Sequence, residues 1–151
     1  MKKINMKYSY IFLLFALFSL ASCTSWFVER TPEYILWKVH GLNVENTEHW
    51  VYAFEEQWCP NGDGTSKIKM KVALAEEQIE HLISTGAKLL PIPDGTISEQ
   101  SWLEGELGID LDSVSDGVYL YKPGNPDLSF ECSFLLYDKA SKMLYYYVNV
   151  M

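Results

Sequence analysis

The sequence predicts an α+β fold, namely a mainly antiparallel β-sheet with one principal helix packed on a face. Residues 67 to 74 alternate lysine with apolar side chains, which is the period of a strand with one face toward water. Residues 75 to 85 change to helical spacing, whereas the chain from residue 118 onward is rich in β-branched and aromatic residues. Short connections and a single main helix favour antiparallel pairing.

The first elements of the domain are predicted to be strands. Tyr34 to Val39 is a run of β-prone residues that ends at Gly41. From Trp50 to Trp58, aromatic residues alternate with other side chains, which predicts a strand with an aromatic face. Residues 59 to 65 (CPNGDGT) are dense in turn-forming residues, so this strand and the one that follows should form a hairpin.

Burial in the second strand of the hairpin follows from its alternation. We expect the lysines to face water and the apolar residues between them to be buried: Lys67, Lys69 and Lys71 outside, and Ile68, Met70 and Val72 inside. A helix over this segment would instead put lysines and apolar side chains on the same face.

The principal helix is predicted at residues 75 to 85 (AEEQIEHLIST). Its apolar residues can share one face, acidic residues crowd its first turn, and Gly86 is placed to end it. Pro91 and Pro93 prevent it from continuing. A second, short helix between Ser98 and Leu107 is compatible with the sequence, although Gly105 disfavours it.

The last third of the chain is predicted to form three strands. Val118 to Tyr121 is the first, and the Pro-Gly-Asn-Pro sequence at 123 to 126 turns the chain after it. Alternate apolar residues from Phe130 to Leu136 and from Leu144 to Val150 predict the other two, with a turn at 138 to 142.

Tyrosines occupy the opposite parity to the apolar residues on two of these strands: Tyr119, Tyr121, Tyr145 and Tyr147. If the strands are neighbours, these side chains form one tyrosine-rich face of the sheet. The favoured interpretation is that the helix covers this face and the tyrosines belong to the core. The alternative is an exposed aromatic surface for a partner or a glycan.

Length and composition narrow the class of protein. The 151 residues suit one ordinary domain. A formal net charge of −8 argues against a nucleic-acid partner, which would require a basic surface. The hydrophobic fraction of 48% and the aromatic fraction of 15% supply enough apolar surface for a core, which argues against a disordered chain.

The first 22 residues have the features of an export signal. Three lysines precede an apolar run from Ile11 to Leu20, which is too short for a membrane span of about 20 apolar residues. Small residues then lead to a cysteine, in the order Leu20-Ala21-Ser22-Cys23.

This arrangement resembles the lipobox of bacterial membrane lipoprotein precursors, and the resemblance covers residues 1 to 23. It implies that a diacylglyceryl group is attached to the sulfur of Cys23 and that a peptidase recognising Leu20, Ala21 and Ser22 cuts before that cysteine. The new amino terminus would then be acylated, so the protein's partner is the membrane. A plain secretory signal and an uncleaved anchor are the alternatives.

The resemblance also divides the chain and suggests a location. We expect a signal peptide at 1–22, a lipidated tether at 23–31 and a single globular α+β domain at 32–151. Removing the three lysines of the leader lowers the formal net charge from −8 to −11. Thr24 follows the cysteine, where an aspartate would mark retention in the inner membrane in some bacteria, so the outer membrane is favoured.

Two cysteines remain once Cys23 is assigned to lipid. Cys59 and Cys132 could form a disulfide in an exported chain, which would contribute about 4 kcal/mol by closing a long loop. The alternative is a pair of buried thiols, and the sequence does not decide between them.

Acidic residues concentrate between residues 89 and 121, a stretch without lysine or arginine. This acidic segment contains Asp94, Glu99, Glu104, Glu106, Asp110, Asp112 and Asp116. It is either a solvated loop or a patch that docks a basic protein, and the candidate partner-binding residues are Glu104, Glu106, Asp110 and Asp112. Asp110, Asp112 and Asp116 could supply oxygen ligands to calcium, but their spacing does not match an EF-hand loop. The three histidines lack zinc-type spacing, so no metal or cofactor is assigned.

Function is the least determined property of the sequence. No nucleophile elbow, metalloprotease helix or phosphate-binding glycine loop occurs, so no catalytic residue is assigned. The favoured hypothesis is a lipid-anchored envelope protein that binds another protein or envelope component without catalysis. The alternatives are an immunity or inhibitor lipoprotein that neutralises a toxin or hydrolase, and a hydrolase with a dispersed site.

Overall fold

The protein folds around a six-stranded antiparallel sheet with helices on both faces. A computed structural model describes residues 30–58, 63–124 and 132–150. In this part of the chain the elements are α1 (Pro32–His40), β1 (His49–Trp58), β2 (Gly64–Val72), α2 (Glu76–Ser84), β3 (Lys88–Leu89), α3 (Gln100–Leu107), a 3-10 helix (Leu111–Ser113), β4 (Gly117–Lys122), β5 (Cys132–Asp138) and β6 (Met143–Val150). The chain divides between Thr31 and Pro32 into two units, and these elements belong to the second, Pro32–Met151.

The strands lie in the order β1-β2-β6-β5-β4-β3, and every neighbouring pair is antiparallel. The predicted α+β class with a mainly antiparallel sheet is therefore confirmed, as is the hairpin of β1 and β2. A single principal helix is not confirmed, because α1 and α2 each have nine residues and α3 has eight. The helix predicted at 75 to 85 corresponds to α2, and the short one before Leu107 corresponds to α3.

The strand predicted at Tyr34 to Val39 is wrong, because these residues lie in helix α1. Pro32 occupies the first position of that helix, where a missing N–H costs nothing. Its buried residues are Pro32, Ile35, Leu36 and His40, which is helical spacing. Gly41 ends the helix in the left-handed conformation at φ 68°, and the next amide N–H donates to the carbonyl oxygen of Leu36 at 3.2 Å.

Helices α1 and α2 cover one face of the sheet, called here the α1–α2 face. Its core combines helix residues such as Leu36 and Leu82 with inward side chains of the central strands. The strand residues of this core are Ile68, Met70, Val72, Val118, Leu120, Leu135, Tyr137, Leu144 and Tyr146. The hydroxyl of Tyr137 accepts a hydrogen bond from the amide of Leu74 at 3.1 Å, so its polar atom is satisfied in this core.

Helix α3 and the 3-10 helix cover the other face, called here the α3 face. Its core contains Leu103, Leu107 and Leu111 from the helices together with strand residues Tyr119, Cys132, Phe134, Leu136, Tyr145 and Tyr147. Tyr121 packs against this cluster. The favoured interpretation, that the tyrosine-rich face belongs to the core, is therefore confirmed, although the helix that covers it is α3. The alternative of an exposed aromatic surface at these positions is wrong.

The alternation predicted for β2 is confirmed for its apolar residues. Ile68, Met70 and Val72 are buried on the α1–α2 face. The lysines point the other way, and Lys71 is exposed, but Lys67 and Lys69 are only partly exposed. The reason is that the Nζ of Lys67 lies 3.2 Å from Glu55, and the Nζ of Lys69 lies 5.4 Å from the ring centre of Tyr145.

Candidate functional site

Of the four candidate partner-binding carboxylates, Glu104 and Glu106 lie on α3 and Asp112 on the 3-10 helix, which Asp110 precedes. Glu104 Oε1 accepts hydrogen bonds from the amide N–H of Leu111 at 3.0 Å and from the Nε2 of Gln100 at 3.2 Å. The same Nε2 donates to Asp112 Oδ1 at 3.0 Å. The Gln100 amide therefore joins two of the predicted residues and holds the 3-10 helix against α3.

The other two carboxylates also have structural contacts. Asp110 Oδ1 accepts from the amide N–H of Asp112 at 3.1 Å and so caps the 3-10 helix. Glu106 Oε2 lies 3.6 Å from the Nζ of Lys67 on β2. Asp110 and Asp112 remain exposed, whereas Glu104 and Glu106 are half-buried. The sequence prediction of a charged patch is compatible with this geometry, but the patch also stabilises local structure.

A cavity of about 330 Å³ opens where β1 begins, β2 ends and the turn before β6 finishes. This Trp50 cavity is lined by Thr47, Glu48, His49, Trp50, Lys71, Val72, Ala73 and Lys142. Trp50 lies opposite Lys71 in the β1–β2 register, and Lys71 lies opposite the residue after Lys142 in the β2–β6 register. Two ammonium groups and one indole therefore border the same space.

Trp50 is unusually exposed for its type, since 70% of its surface remains accessible. Tyr52 on the same edge strand is 57% exposed, at an irregularity where the register shifts between Val51 and Ala53. Tryptophan and tyrosine are enriched at interfaces, so these two exposed side chains are candidates for recognition. The aromatic face predicted for β1 is therefore partly open to solvent.

His49 joins β1 to α1 at the edge of the cavity. Its Nδ1–H donates to the carbonyl oxygen of Thr47 at 2.7 Å, and its Nε2 lies 2.8 Å from Glu33 Oε1. Because both ring nitrogens face acceptors, the doubly protonated imidazolium satisfies both contacts. The Thr47 contact first, and then the Glu33 carboxylate, raise the pKa of His49 above its ordinary value.

The other two histidines have structural positions around the end of α1. His40 is buried, its ring lies edge-on to Tyr146 at 5.2 Å, and burial lowers its pKa to about 4, with a smaller contribution from Lys122. His81 Nε2–H donates to the carbonyl oxygen of His40 at 3.0 Å. A Cβ on Gly41 would lie 2.6 Å from the same nitrogen, so this glycine permits the close approach of α2.

Cys132 is buried at the start of β5 and forms no disulfide with another described residue. Burial first, and then the negative charge of Glu99, raise the pKa of the thiol, so it stays protonated near neutral pH and is not an activated nucleophile. Glu99 is engaged elsewhere, because its Oε2 accepts a hydrogen bond from the hydroxyl of Tyr121 at 3.0 Å. These groups form a polar rim of the α3-face core.

Several predicted site residues lie outside the described residues: Leu20, Ala21, Ser22, Cys23 and Cys59. The lipidation site, its recognition residues and the disulfide between Cys59 and Cys132 therefore stay predictions. Within the described ranges, no group of three or more His, Cys, Asp or Glu side chains could hold a metal ion. No helix in that same part of the chain is long and apolar enough to cross a membrane.

The Trp50 cavity was missed by sequence reasoning. The aromatic strand and the turn at 138 to 142 both had a sequence signal, but the cavity needs the exact register that sets Trp50 beside Lys71 and brings Lys142 to them. A pattern of period two fixes the face of a side chain and leaves its cross-strand neighbour open. The one local signal was a lysine at the end of the turn.

Comparison with known proteins adds no family to this description. No protein-family model, no curated protein and no solved structure matches the chain. Only the residues of this chain and their arrangement therefore indicate what it does.

Proposed function

We propose that this protein is a lipid-anchored protein of the bacterial cell envelope, whose domain binds another protein or an envelope component without catalysing a reaction. The observation that carries the proposal is the leader, in which a basic head and a short apolar run are followed by Leu20-Ala21-Ser22-Cys23. Acyl chains on Cys23 contribute about 0.8 kcal/mol per buried CH₂, so several of them hold the protein on a bilayer essentially permanently.

Metabolic labelling with a lipid analogue tests the anchor. We expect the wild type to be labelled and to sediment with membranes, and Cys23→Ala to lose both properties. Cys132→Ala is the matched control, because it removes another cysteine and should keep the label. Equal labelling of wild type and Cys23→Ala would show that the anchor is not at this residue.

The proposed location is the outer membrane, because Thr24 stands where an aspartate would signal retention. Separation of inner and outer membranes by density tests it. Thr24→Asp should move the protein toward the inner-membrane fraction. Wild type found mainly in the inner membrane would contradict this part of the proposal.

Binding rather than catalysis is supported by the contacts and protonation of the cysteine and histidine side chains discussed above. The thiol of Cys132 has a raised pKa, the imidazole of His81 contacts a backbone carbonyl, and that of His49 contacts Glu33. Exposed carboxylates at Asp110 and Asp112 instead present charge to solvent. Such charge speeds the encounter with a cationic partner and is screened over about 8 Å at physiological salt.

Two isosteric double variants test whether the acidic segment steers a partner. Capture from detergent-solubilised membranes first supplies the partner. Asp110→Asn with Asp112→Asn should then slow association severalfold at low salt and flatten its salt dependence. Asp94→Asn with Asp116→Asn removes the same charge from exposed positions elsewhere in the segment. Equal slowing in both variants indicates a long-range field, slowing in the first alone indicates direct contact, and unchanged rates in both contradict the proposal.

A second candidate function is favoured by the same carboxylates. An immunity or inhibitor lipoprotein that neutralises a toxin or hydrolase would use an acidic surface against a cationic active site. The chain carries a net charge of −11 once its leader is removed, which suits such a partner. A neighbouring gene for a basic toxin or hydrolase, and inhibition of that enzyme by this protein, would support this function over a general binding role.

A further inference from the structure

One lining residue of the Trp50 cavity, His49, contacts the start of α1, which is the first element of the domain. Pro32 is the first residue of α1, and Glu33 contacts His49, which lines the cavity. Cys23 and Pro32 are nine residues apart in the sequence, and a fully extended chain of that length spans about 30 Å. Lipidation at Cys23 would therefore keep this cavity within reach of the lipid headgroups.

The lining of the cavity carries positive charge without a structural partner. Among the described residues, neither Lys71 nor Lys142 forms an ion pair with a carboxylate. By contrast, Lys67 and Lys139 each lie within 3.2 Å of a glutamate oxygen. Glu48 supplies one carboxylate to the lining, so the two ammonium groups leave an excess of positive charge in a chain whose net charge is −8.

The exposed indole of Trp50 fits the boundary between a membrane and water. Tryptophan and tyrosine are enriched at headgroup level because one part of each ring system is apolar and the other is polar. Trp50 and Tyr52 are both more than half exposed on the edge strand next to the two lysines. Contact with headgroups would remove apolar surface from water without burying the lysine charges.

Lys142 has a backbone conformation that disfavours its own residue type. Its φ is 59°, in the left-handed region where glycine or asparagine is the ordinary residue. Its carbonyl oxygen accepts a hydrogen bond from the amide N–H of Val72 at 2.8 Å, which fixes the turn against the end of β2. Glycine would adopt this backbone conformation at lower cost. A lysine at this position of the cavity therefore indicates a role for its side chain.

We propose that the Trp50 cavity binds the phosphate of an anionic lipid headgroup in the membrane that carries the anchor. Lys71 and Lys142 contact the phosphate, and Trp50 rests at headgroup level beside it. The inference depends on the proposed lipidation of Cys23, because the tether makes headgroup binding an intramolecular event. A weak site then suffices, since a short flexible linker gives an effective concentration in the millimolar range.

The acidic segment leaves this attraction largely intact. Glu106, which contacts β2, does so at Lys67, and Lys71 is four residues further along the strand. Four residues of a strand span about 13 Å, which exceeds the screening length of about 8 Å at physiological salt. Closer to the cavity, the lining carboxylate of Glu48 and the Glu33 carboxylate on His49 are the opposing charges.

Fluorescence quenching by brominated lipids tests the proposal on the full-length lipidated protein reconstituted in vesicles. We expect stronger quenching when the vesicles contain phosphatidylglycerol than in pure phosphatidylcholine, since Trp26, three residues from Cys23, supplies the same background in both. Trp50→Phe should remove the component that depends on phosphatidylglycerol. Trp37→Phe is the matched control, because Trp37 is 56% exposed on α1 and does not line the cavity.

Paired lysine variants test the role of charge. Each lysine near an anionic surface contributes roughly fivefold in affinity, so Lys71→Gln with Lys142→Gln should lower the ratio of docked to undocked protein about 25-fold. Lys88→Gln with Lys122→Gln removes the same charge from exposed residues on β3 and β4 and should leave the ratio unchanged. Circular dichroism verifies that both variants fold.

The outcomes separate this inference from the proposed function. Flotation of the protein with the vesicles reports the anchor independently of quenching. The headgroup site is overturned if the protein floats but is quenched equally in both kinds of vesicle. It is also overturned if the protein floats and both lysine double variants lose the same amount of quenching. In both cases the lipid anchor remains supported. A protein that neither labels nor floats contradicts the proposed function itself. Binding of soluble glycerol phosphate at the two lysines, without any quenching that depends on phosphatidylglycerol, assigns the site to a free phosphate ester and overturns the membrane source.

Discussion

His40 should make the folded protein lose stability in acid. Its side chain is 7% exposed, and its Nε2 has no hydrogen-bond partner in the described part of the chain. Burial first, and then the positive charge of Lys122, lower its pKa from the ordinary 6.5 to about 4. Between these two values the unfolded chain binds the proton and the folded chain does not. The free energy of unfolding therefore falls as the pH falls through this window.

The size of the loss follows from the difference in pKa. Each pH unit inside the window is worth about 1.4 kcal/mol, so the folded state should lose about 2 kcal/mol between pH 7.5 and pH 5. By pH 4 the loss from this group should reach about 3 kcal/mol. That is a large share of the stability of an ordinary domain, about 5 to 15 kcal/mol.

Urea unfolding of wild type and His40→Phe at several pH values measures this contribution. Phenylalanine keeps an aromatic ring beside Tyr146 and removes the unpartnered nitrogen. The contributions of the other titrating groups cancel when the two proteins are compared. Relative to wild type, the free energy of unfolding of the variant should therefore rise by about 2 kcal/mol between pH 7.5 and pH 5. In Lys122→Gln the fall should be slightly smaller. If the free energies of unfolding of wild type and His40→Phe differ by a constant amount from pH 7.5 to pH 4, the reasoning is refuted.

Four further substitutions have expected outcomes. His49→Gln should lower the free energy of unfolding below about pH 6.5, where the imidazolium makes both contacts. It should have little effect once the pH exceeds the raised pKa of His49 in the folded protein. Urea unfolding at several pH values measures this. Gly117→Ala should cost about 3 kcal/mol or more in thermal unfolding, because φ is 135° and a Cβ would collide with the carbonyl oxygen of Tyr137. Gly105→Ala, where a Cβ meets open space in α3, should instead stabilise by about 0.5 to 1 kcal/mol. Lys142→Gly should stabilise by about 0.5 kcal/mol or more through relief of positive φ, and the opposite sign would show that the turn needs lysine for folding.

The strands could be predicted because alternation reports a face that is buried. In β2 the parity of Ile68, Met70 and Val72 was sufficient, since helices cover one side and lysines occupy the other. In β5 and β6 the sequence held a second signal, because Phe134 to Tyr137 and Leu144 to Tyr147 are continuously buried runs. Continuous apolar strands are typical of sheets covered on both faces, which predicts helices on both sides. The prediction of one helix on one face was based on the alternation of apolar residues and did not take the continuously apolar runs into account.

Helix α1 was mispredicted because local propensity and helix-end signals disagreed. Tyr, Ile, Trp and Val favour strands, and this run contains all four. Pro32, Glu33 and Gly41 are the start and stop signals of a helix, and the spacing of buried residues at 32, 35, 36 and 40 agrees with them. Packing of this spacing on the sheet outweighs the propensity of individual residues, which differs by only about 1 kcal/mol across the scale.

The candidate site could be predicted only where charge is local in sequence. The acidic segment was visible as a count of carboxylates, but the hydrogen bonds of Glu104 to Gln100 and Leu111 depend on how the chain turns after α3. The Trp50 cavity needs three segments to meet, and its residues come from positions as far apart as Thr47 and Lys142. Such convergence is a property of strand order and register, which a single sequence does not encode as a local pattern.

The charge distribution explains how one small domain could serve both a membrane and a partner. If the leader is removed as proposed, the formal net charge is −11, and the domain as a whole would be repelled by an anionic bilayer. Attraction must therefore come from cations within a screening length of the headgroups, about 8 Å. Lys67 is matched by Glu55 and Glu106, whereas Lys71 and Lys142 border the Trp50 cavity. In the proposed arrangement, a weak contact at this cavity would leave the exposed acidic segment free to attract a cationic partner.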